Sequence, residues 1–348
     1  SLVHNIGTFN NNANGTIAID RSTDRGLYNQ ASFGLPGTFT NSGGITIGGA
    51  ASVGVSGLFN NGTFNNNATG TIVLDRATDR GLGAWYGTFT NSGSIAIGGT
   101  VSTGSYGLEN VGTFHNTAGG QITVDRSTSF GLYVNQGTFN NAGGITIGGT
   151  AAAGTEGMRN MATFNNNAGG QITIDRSTTN GIRNSGTVFN NAGNITIGGT
   201  VGNGQTGIFS SAQFNNNAGA QITIDRSTSI GLWANGPFTN ADKIYIGQTA
   251  SVGSNGLISQ NTFNNNAGGV ILIDRCTTTG LINQNTFNNE ATIIIGATAS
   301  VGATGIQNTN SVTFNNIGCE ALINIVSNSI INNTGTFTNS GRIIENAT

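Results

Sequence analysis

Gly112-Thr113-Phe114, then Gln121-Ile122-Thr123-Val124-Asp125-Arg126-Ser127-Thr128, then Gly131-Leu132 make one copy of a pattern that recurs along this 348-residue chain. Its aromatic marker returns at Phe9, Phe39, Phe64, Phe89, Phe114, Phe139, Phe164, Phe189, Phe214, Phe238, Phe263, Phe287, Phe314 and Phe337, mostly 25 residues apart. Self-similarity at a fixed period of this length means a solenoid or an array. So short a unit cannot bury an apolar face without its neighbours.

Within a copy, apolar residues come at every second position, as in Ile122-Thr123-Val124 and Ile145-Thr146-Ile147, and clusters of Gly, Asn and Ser separate the runs. Period two with turn-forming punctuation specifies strands. A helical repeat needs apolar residues at i, i+3, i+4 and i+7 over ten or more positions, and no window offers them. The chain is therefore expected to be all-β, a single-chain parallel β-helix (β-solenoid) of about 14 coils of about 25 residues. Each coil has three short strands carrying the Phe, the paired Ile and the Leu after Gly.

The coils alternate in two kinds. In the first, Phe to the first Ile is 8 residues and the second Ile to the Leu position is 8, as in Phe164, Ile172, Ile174 and Ile182. In the second, the steps are 6 and 11, as in Phe139, Ile145, Ile147 and Met158. Both close in the same length but put their spare residues at different corners.

A hydrophobic content of 36% is low for a thick core but fits the narrow one of a β-helix. Charged residues are 7% and the net charge is -2. Nucleic acid is not an expected partner, because phosphate binding needs a basic stripe. Periodic apolar residues at low net charge argue against disorder, and no apolar run of the length a membrane span needs is present.

The repeat runs almost unbroken from Phe39 to about Thr313, so 1–348 reads as one continuous β-solenoid. Residues 28–36 form an insertion expected to bulge outward. Residues 314–348 read as divergent last coils, without the Asp-Arg pair and richer in apolar residues such as Leu322, Ile323, Ile325, Ile330 and Ile331. With no initiator Met, no signal peptide and no polar cap in sight, the chain is expected to be a segment of a longer protein or a mature piece of one. Cys276 and Cys319 lie two coils apart, roughly 9.6 Å along the axis. A disulfide needs its Cα atoms within about 7 Å, so free thiols are expected.

Stacking puts equivalent residues in columns. The Phe column should be an internal aromatic ladder. Beside it, alternation turns Thr113, Thr138 and Thr163, and His115, Asn140 and Asn165, outward. This Thr-x-Asn face resembles that of β-helical ice-binding proteins, although Val188, Gln213 and Pro237 interrupt it. Asn-rich corners such as Asn165-Asn166-Asn167 suit turns, and their amides can bond along a ladder.

Six first-kind coils carry an Asp-Arg pair: Asp20-Arg21, Asp75-Arg76, Asp125-Arg126, Asp175-Arg176, Asp225-Arg226 and Asp274-Arg275. The intervening coils usually have Gly-Gly there, leaving room for an Arg to lie across them. A catalytic carboxylate is ordinarily single, so the pairs are read as a structural ladder of exposed ion pairs, each worth about 0 to 1 kcal/mol. Elsewhere His4 and His115 stand alone, Lys243 is the single lysine, and Glu109, Glu156, Glu290, Glu320 and Glu345 are scattered. An active site needs converging acids, bases or metal ligands. No catalytic, cofactor-binding or metal residue is assigned, no cofactor is expected, and the chain is not read as an enzyme.

One column varies. The residue after Gly-Leu should point outward, and it is Tyr28, Phe59, Tyr133, Phe209, Trp233, Ile258 and Ile282 among Glu109, Arg159 and Arg183. Large apolar residues on an outer face mark a candidate interaction face.

The motifs Gly137-Thr138-Phe139-Asn140-Asn141, Ile145-Thr146-Ile147 and Gly131-Leu132 resemble the β-helical repeat regions of very large secreted bacterial surface proteins, of adhesin, autotransporter-passenger or filament type. The resemblance implies an extracellular or cell-surface structural protein: a stalk, adhesin shaft or filament subunit, partnered by other copies of itself or by a cell surface. The alternative is a ligand-binding β-helix for ice or polysaccharide, and a polysaccharide-degrading enzyme comes third.

Overall fold

The computed structural model describes residues 1–32, 37–326 and 329–345. They fall into two compact units, Ser1–Thr178 and Thr179–Thr348, with twenty-one of the forty-two strands in each. No helix occurs among the described residues. Both units are parallel β-solenoids of seven coils.

The coil around Phe114 shows the plan, with strands Tyr106–Asn110, Thr113–Asn116 and Gln121–Val124. Each strand pairs in parallel with its equivalents one coil away, residue for residue. Phe89, Phe114 and Phe139 are partners in the first unit, and Phe214, Phe238 and Phe263 in the second. A slip of one residue would turn every Phe and Ile to solvent, so the apolar pattern fixes this register.

The core is as narrow as the sequence implies: Phe114, Ile122, Val124 and Leu132 are at most 1% exposed. Phe rings stack nearly parallel, with centroids 4.6 Å apart between Phe114 and Phe139 and 4.8 Å between Phe238 and Phe263. That separation is the spacing of strands in a sheet. Phe9, with a ring neighbour on one side, is 37% exposed.

The two coil kinds differ at their corners as their spacings require. Between the Phe and Ile strands the first kind spends residues 117–120 and the second residues 142–143. Between the Ile and Leu strands the first kind spends 125–129 and the second 148–155. Within the stretch 28–36, Tyr28–Gln30 end the strand Arg25–Gln30, and residues 33–36 lie outside the described residues. In 314–345 the strands Leu322–Ile325 and Arg342–Glu345 keep the register, with Ile323 opposite Ile343.

Two features depart from the sequence reading. Asn116, two residues after Phe114, is on the Phe side of its strand and is 1% exposed. Its Nδ2 donates to Asn141 Oδ1 at 2.8 Å, while Asn91 Nδ2 donates to Asn116 Oδ1 at 2.8 Å. The second unit repeats this from Asn216 to Asn240 to Asn265 to Asn289, each at 2.7 Å. A buried amide without partners would be costly. Here one N–H and the oxygen serve the ladder, and the other N–H of Asn116 reaches the Gly120 carbonyl at 3.3 Å.

The Asp-Arg pairs are not exposed ion pairs. Asp75, Asp125, Asp175, Asp225 and Asp274 are at most 7% exposed. Asp125 Oδ1 accepts from the backbone N–H of Thr150 at 3.2 Å and Ala151 at 3.1 Å, and its Oδ2 accepts from the Thr150 hydroxyl at 2.7 Å. Arg126 lies in the left-handed region, with φ 55°. Its Nη1 donates back to the carbonyls of Gly98, at 2.9 Å, and Gly99. The expected room across the glycines is used, but the carboxylate serves the opposite coil.

Candidate functional site

The outer face of the Gly-Leu strands is shaped by its glycines. In Phe130–Val134 both Gly131 and Leu132 are buried, which breaks period two and leaves Phe130 and Tyr133 as the half-buried outward residues. A Cβ on Gly131 would come within 2.5 Å of Ile147 Cγ2 and 2.6 Å of the Gly157 carbonyl oxygen. Only glycine lets the strand dip onto the Ile column. Two outward columns result, one before the glycine and one after the leucine.

The column after the leucine gathers the expected face residues. In the first unit Tyr28 is the partner of Phe59, and Tyr133 lies between Glu109 and Arg159. In the second, Phe209, Trp233, Ile258 and Ile282 occupy consecutive coils. Phe59 and Ile258 are only 8% and 9% exposed, and the other five are half-buried.

The column before the glycine escaped the sequence reading, and it supplies the charges that cover the rings. The guanidinium of Arg25 lies 4.6 Å from the Tyr28 ring centroid and 4.4 Å from that of Phe59. Arg80 lies over Trp85 at 5.4 Å and Tyr106 at 5.7 Å. Arg159, from the column after the leucine, lies 5.3 Å over Phe130. Such contacts contribute about 0.5 to 2 kcal/mol, more as water is excluded. The available signal was the spacing: a residue immediately before a buried Gly-Leu step shares the outer face with the residue three positions on.

Two of the scattered glutamates belong here. Glu109 is 4% exposed, with Oε2 2.8 Å from Arg80 Nη1, a charge pair whose N–H is not aimed at the oxygen. Arg80 also pairs with Asp79. Glu156, likewise 4% exposed, is the register partner of Phe130. Tyr133 donates to Asn135 Oδ1 at 3.0 Å, and Asn135 to Glu109 Oε1 at 3.3 Å. Burial among these groups pushes the Tyr133 phenol above its ordinary range. The surface thus brings rings, guanidiniums and carboxylates together along two columns.

The Thr-x-Asn face is half-buried on both outward columns, and its amides bond one another. Asn165 Nδ2 donates to Asn140 Oδ1 at 2.8 Å, and Asn215 to Asn190 at 2.8 Å. No group of three His, Cys, Asp or Glu able to hold a metal occurs among the described residues.

In the second unit the aromatic column borders an open cavity of about 300 Å³, with Asn180, Arg183, Gln205, Thr206, Phe209 and Trp233 in its lining.

No protein-family model matches the chain, and no curated protein does. Among solved structures, it is similar to the crystal structure of a TibC-catalysed, hyper-glycosylated TibA fragment spanning residues 55–350, with a TM-score of 0.30 and 14% identity over 99% of each chain.

Proposed function

We propose that the chain is an extracellular structural protein, a segment of a stalk, adhesin shaft or filament, whose partners are other copies of itself or a cell surface. The observation that supports this is how the repeated chemistry is spent. The Phe rings, buried Asn amides, corner carboxylates and left-handed arginines all bind the coil above or below. Residues of one type at one position, repeated coil after coil, build length and stiffness, whereas a chemical site needs different groups to converge. The resemblance of the repeats to those of secreted bacterial surface proteins supports the location.

Electron microscopy of the native material tests the reading. Long surface-attached stalks or bundled fibres are expected. Isolated short particles that assemble with nothing would overturn it.

A further inference from the structure

The cavity of the second unit is framed by two columns of unequal size. In the column before the glycine, Asn180 pairs with Thr206 and Thr206 with Ile230, so two short polar side chains are followed by a larger apolar one. Beside them, in the column after the leucine, stand Arg183, Phe209 and Trp233. The small residues leave a shelf, and the aromatics wall one side of it. The volume of about 300 Å³ is at the lower end of the usual range for small-molecule sites.

The wall is held in place. Phe209 and Trp233 meet edge to face, with centroids 5.1 Å apart and planes at 86°. Trp233 Nε1 donates to Gln260 Oε1 at 2.7 Å, outside the lining, which anchors the indole by its polar edge. Arg183 lies 5.4 Å over the Phe209 ring. Around these rings the lining offers the amides of Asn180 and Gln205 and the hydroxyl of Thr206, and no carboxylate.

We propose that this cavity is a binding subsite for one pyranose unit of an oligosaccharide. A sugar ring has an apolar C–H face that packs on an aromatic ring and a rim of hydroxyls that both donate and accept. Amide and hydroxyl side chains match such a rim because they too do both. A wholly apolar ligand would take water from the exposed Gln205 amide and return no partner, which is costly. A nucleic acid would need more cations than the one here. The inference rests on the cavity alone and not on the shaft reading, so either can fail without the other.

The test uses the full chain and a panel of soluble tetrasaccharides: gluco-, manno- and galacto-oligomers, N-acetylglucosamine oligomers and uronic-acid oligomers. Binding is followed by tryptophan emission and titration calorimetry, with sedimentation velocity alongside. At least one class should give a saturable heat and a shift in emission, and Trp233→Phe should abolish the shift. Gln205→Ala, on the exposed rim, should weaken binding at least fivefold. Thr206→Leu, which fills the shelf, should weaken it at least tenfold with unchanged circular dichroism. The proposal is overturned if no sugar gives a saturable response, or if the heat of binding is unchanged in both Gln205→Ala and Thr206→Leu. An emission shift that follows protein concentration alone would also overturn it and assign the face to a second copy of the chain.

Discussion

Asp125 and Arg126 share a peptide bond but hold opposite neighbours: the carboxylate takes the Thr150 hydroxyl of the following coil at 2.7 Å, and the guanidinium reaches the Gly98 carbonyl of the preceding one at 2.9 Å. The pair is thus a two-way clamp across three coils, and Asp75-Arg76, Asp225-Arg226 and Asp274-Arg275 repeat it. The left-handed backbone at Arg126, which costs roughly 1 kcal/mol or more for a side chain of this kind, turns the two apart. The same strained φ recurs at 52° to 58° from Arg76 to Arg275, five arginines whose Nη1 each reaches a glycine carbonyl of the preceding coil.

Removing a clamp carboxylate should therefore matter. Asp225 is 2% exposed and accepts from Thr249 N, Ala250 N and Thr249 Oγ1. Asp225→Ala removes three bonds to a buried charged acceptor and is expected to cost about 1.5 to 3 kcal/mol. Because repeat proteins unfold in neighbouring blocks, hydrogen exchange should quicken first at residues 247–251. A variant as stable as the parent, with unchanged exchange there, would show that the corner is held without the carboxylate.

Glycine positions should divide sharply. Gly131→Ala forces a methyl against the Gly157 carbonyl, which is backbone and cannot give way, and should cost about 3 kcal/mol or more. Gly99→Ala meets nothing within 4 Å and should stay within about 0.5 kcal/mol of the parent. Urea unfolding of the two variants side by side measures the contrast, and equal effects would refute the account of the buried Gly-Leu step.

Acid should loosen the first corner. Hydrogen bonds from the N–H groups of Ala51 and Ala50, each at 2.9 Å, hold the Asp20 carboxyl below its ordinary value of 3.8. A lowered folded-state pKa means the folded form binds the proton less readily than the unfolded form. Its contribution is complete above the ordinary value and disappears as pH falls through the folded one. Melting of Asp20→Asn should consequently fall less steeply below pH 4 than that of the parent, and parallel curves would contradict the assignment.

The cysteines should behave as opposites. Cys276 occupies the buried corner position that is Ser22, Ala77, Ser127, Ser177 and Ser227 in other first-kind coils, and its Sγ donates to the Thr279 carbonyl at 3.3 Å, as Ser22 Oγ does to Arg25. Burial pushes its pKa to about 11. Cys319 is exposed. Alkylation of the folded protein at pH 8 should label Cys319 alone, because the thiolate is the nucleophile. Cys276→Ser should fold normally with stability changed by less than about 1 kcal/mol. Rapid labelling of both thiols would mean the corner is open.

The sequence by itself determined the coil. Its 25-residue period, the alternation around Phe114, Ile122 and Val124, and the two corner spacings fix strand number, direction and register, because any other pairing would expose the whole apolar set. Asn116 reads with the Asn-rich corners, since a polar residue beside a Gly-rich corner reads as surface, yet strand alternation carries it to the Phe side. What only the tertiary structure decided is what each polar group binds. Asp125 is buried because Thr150, 25 residues away, arrives to bond it, and the second outward column appears because Gly131 sinks onto Ile147. These are contacts between coils, set by side-chain direction at left-handed corners and dipped strands, and a period in the sequence does not carry that direction.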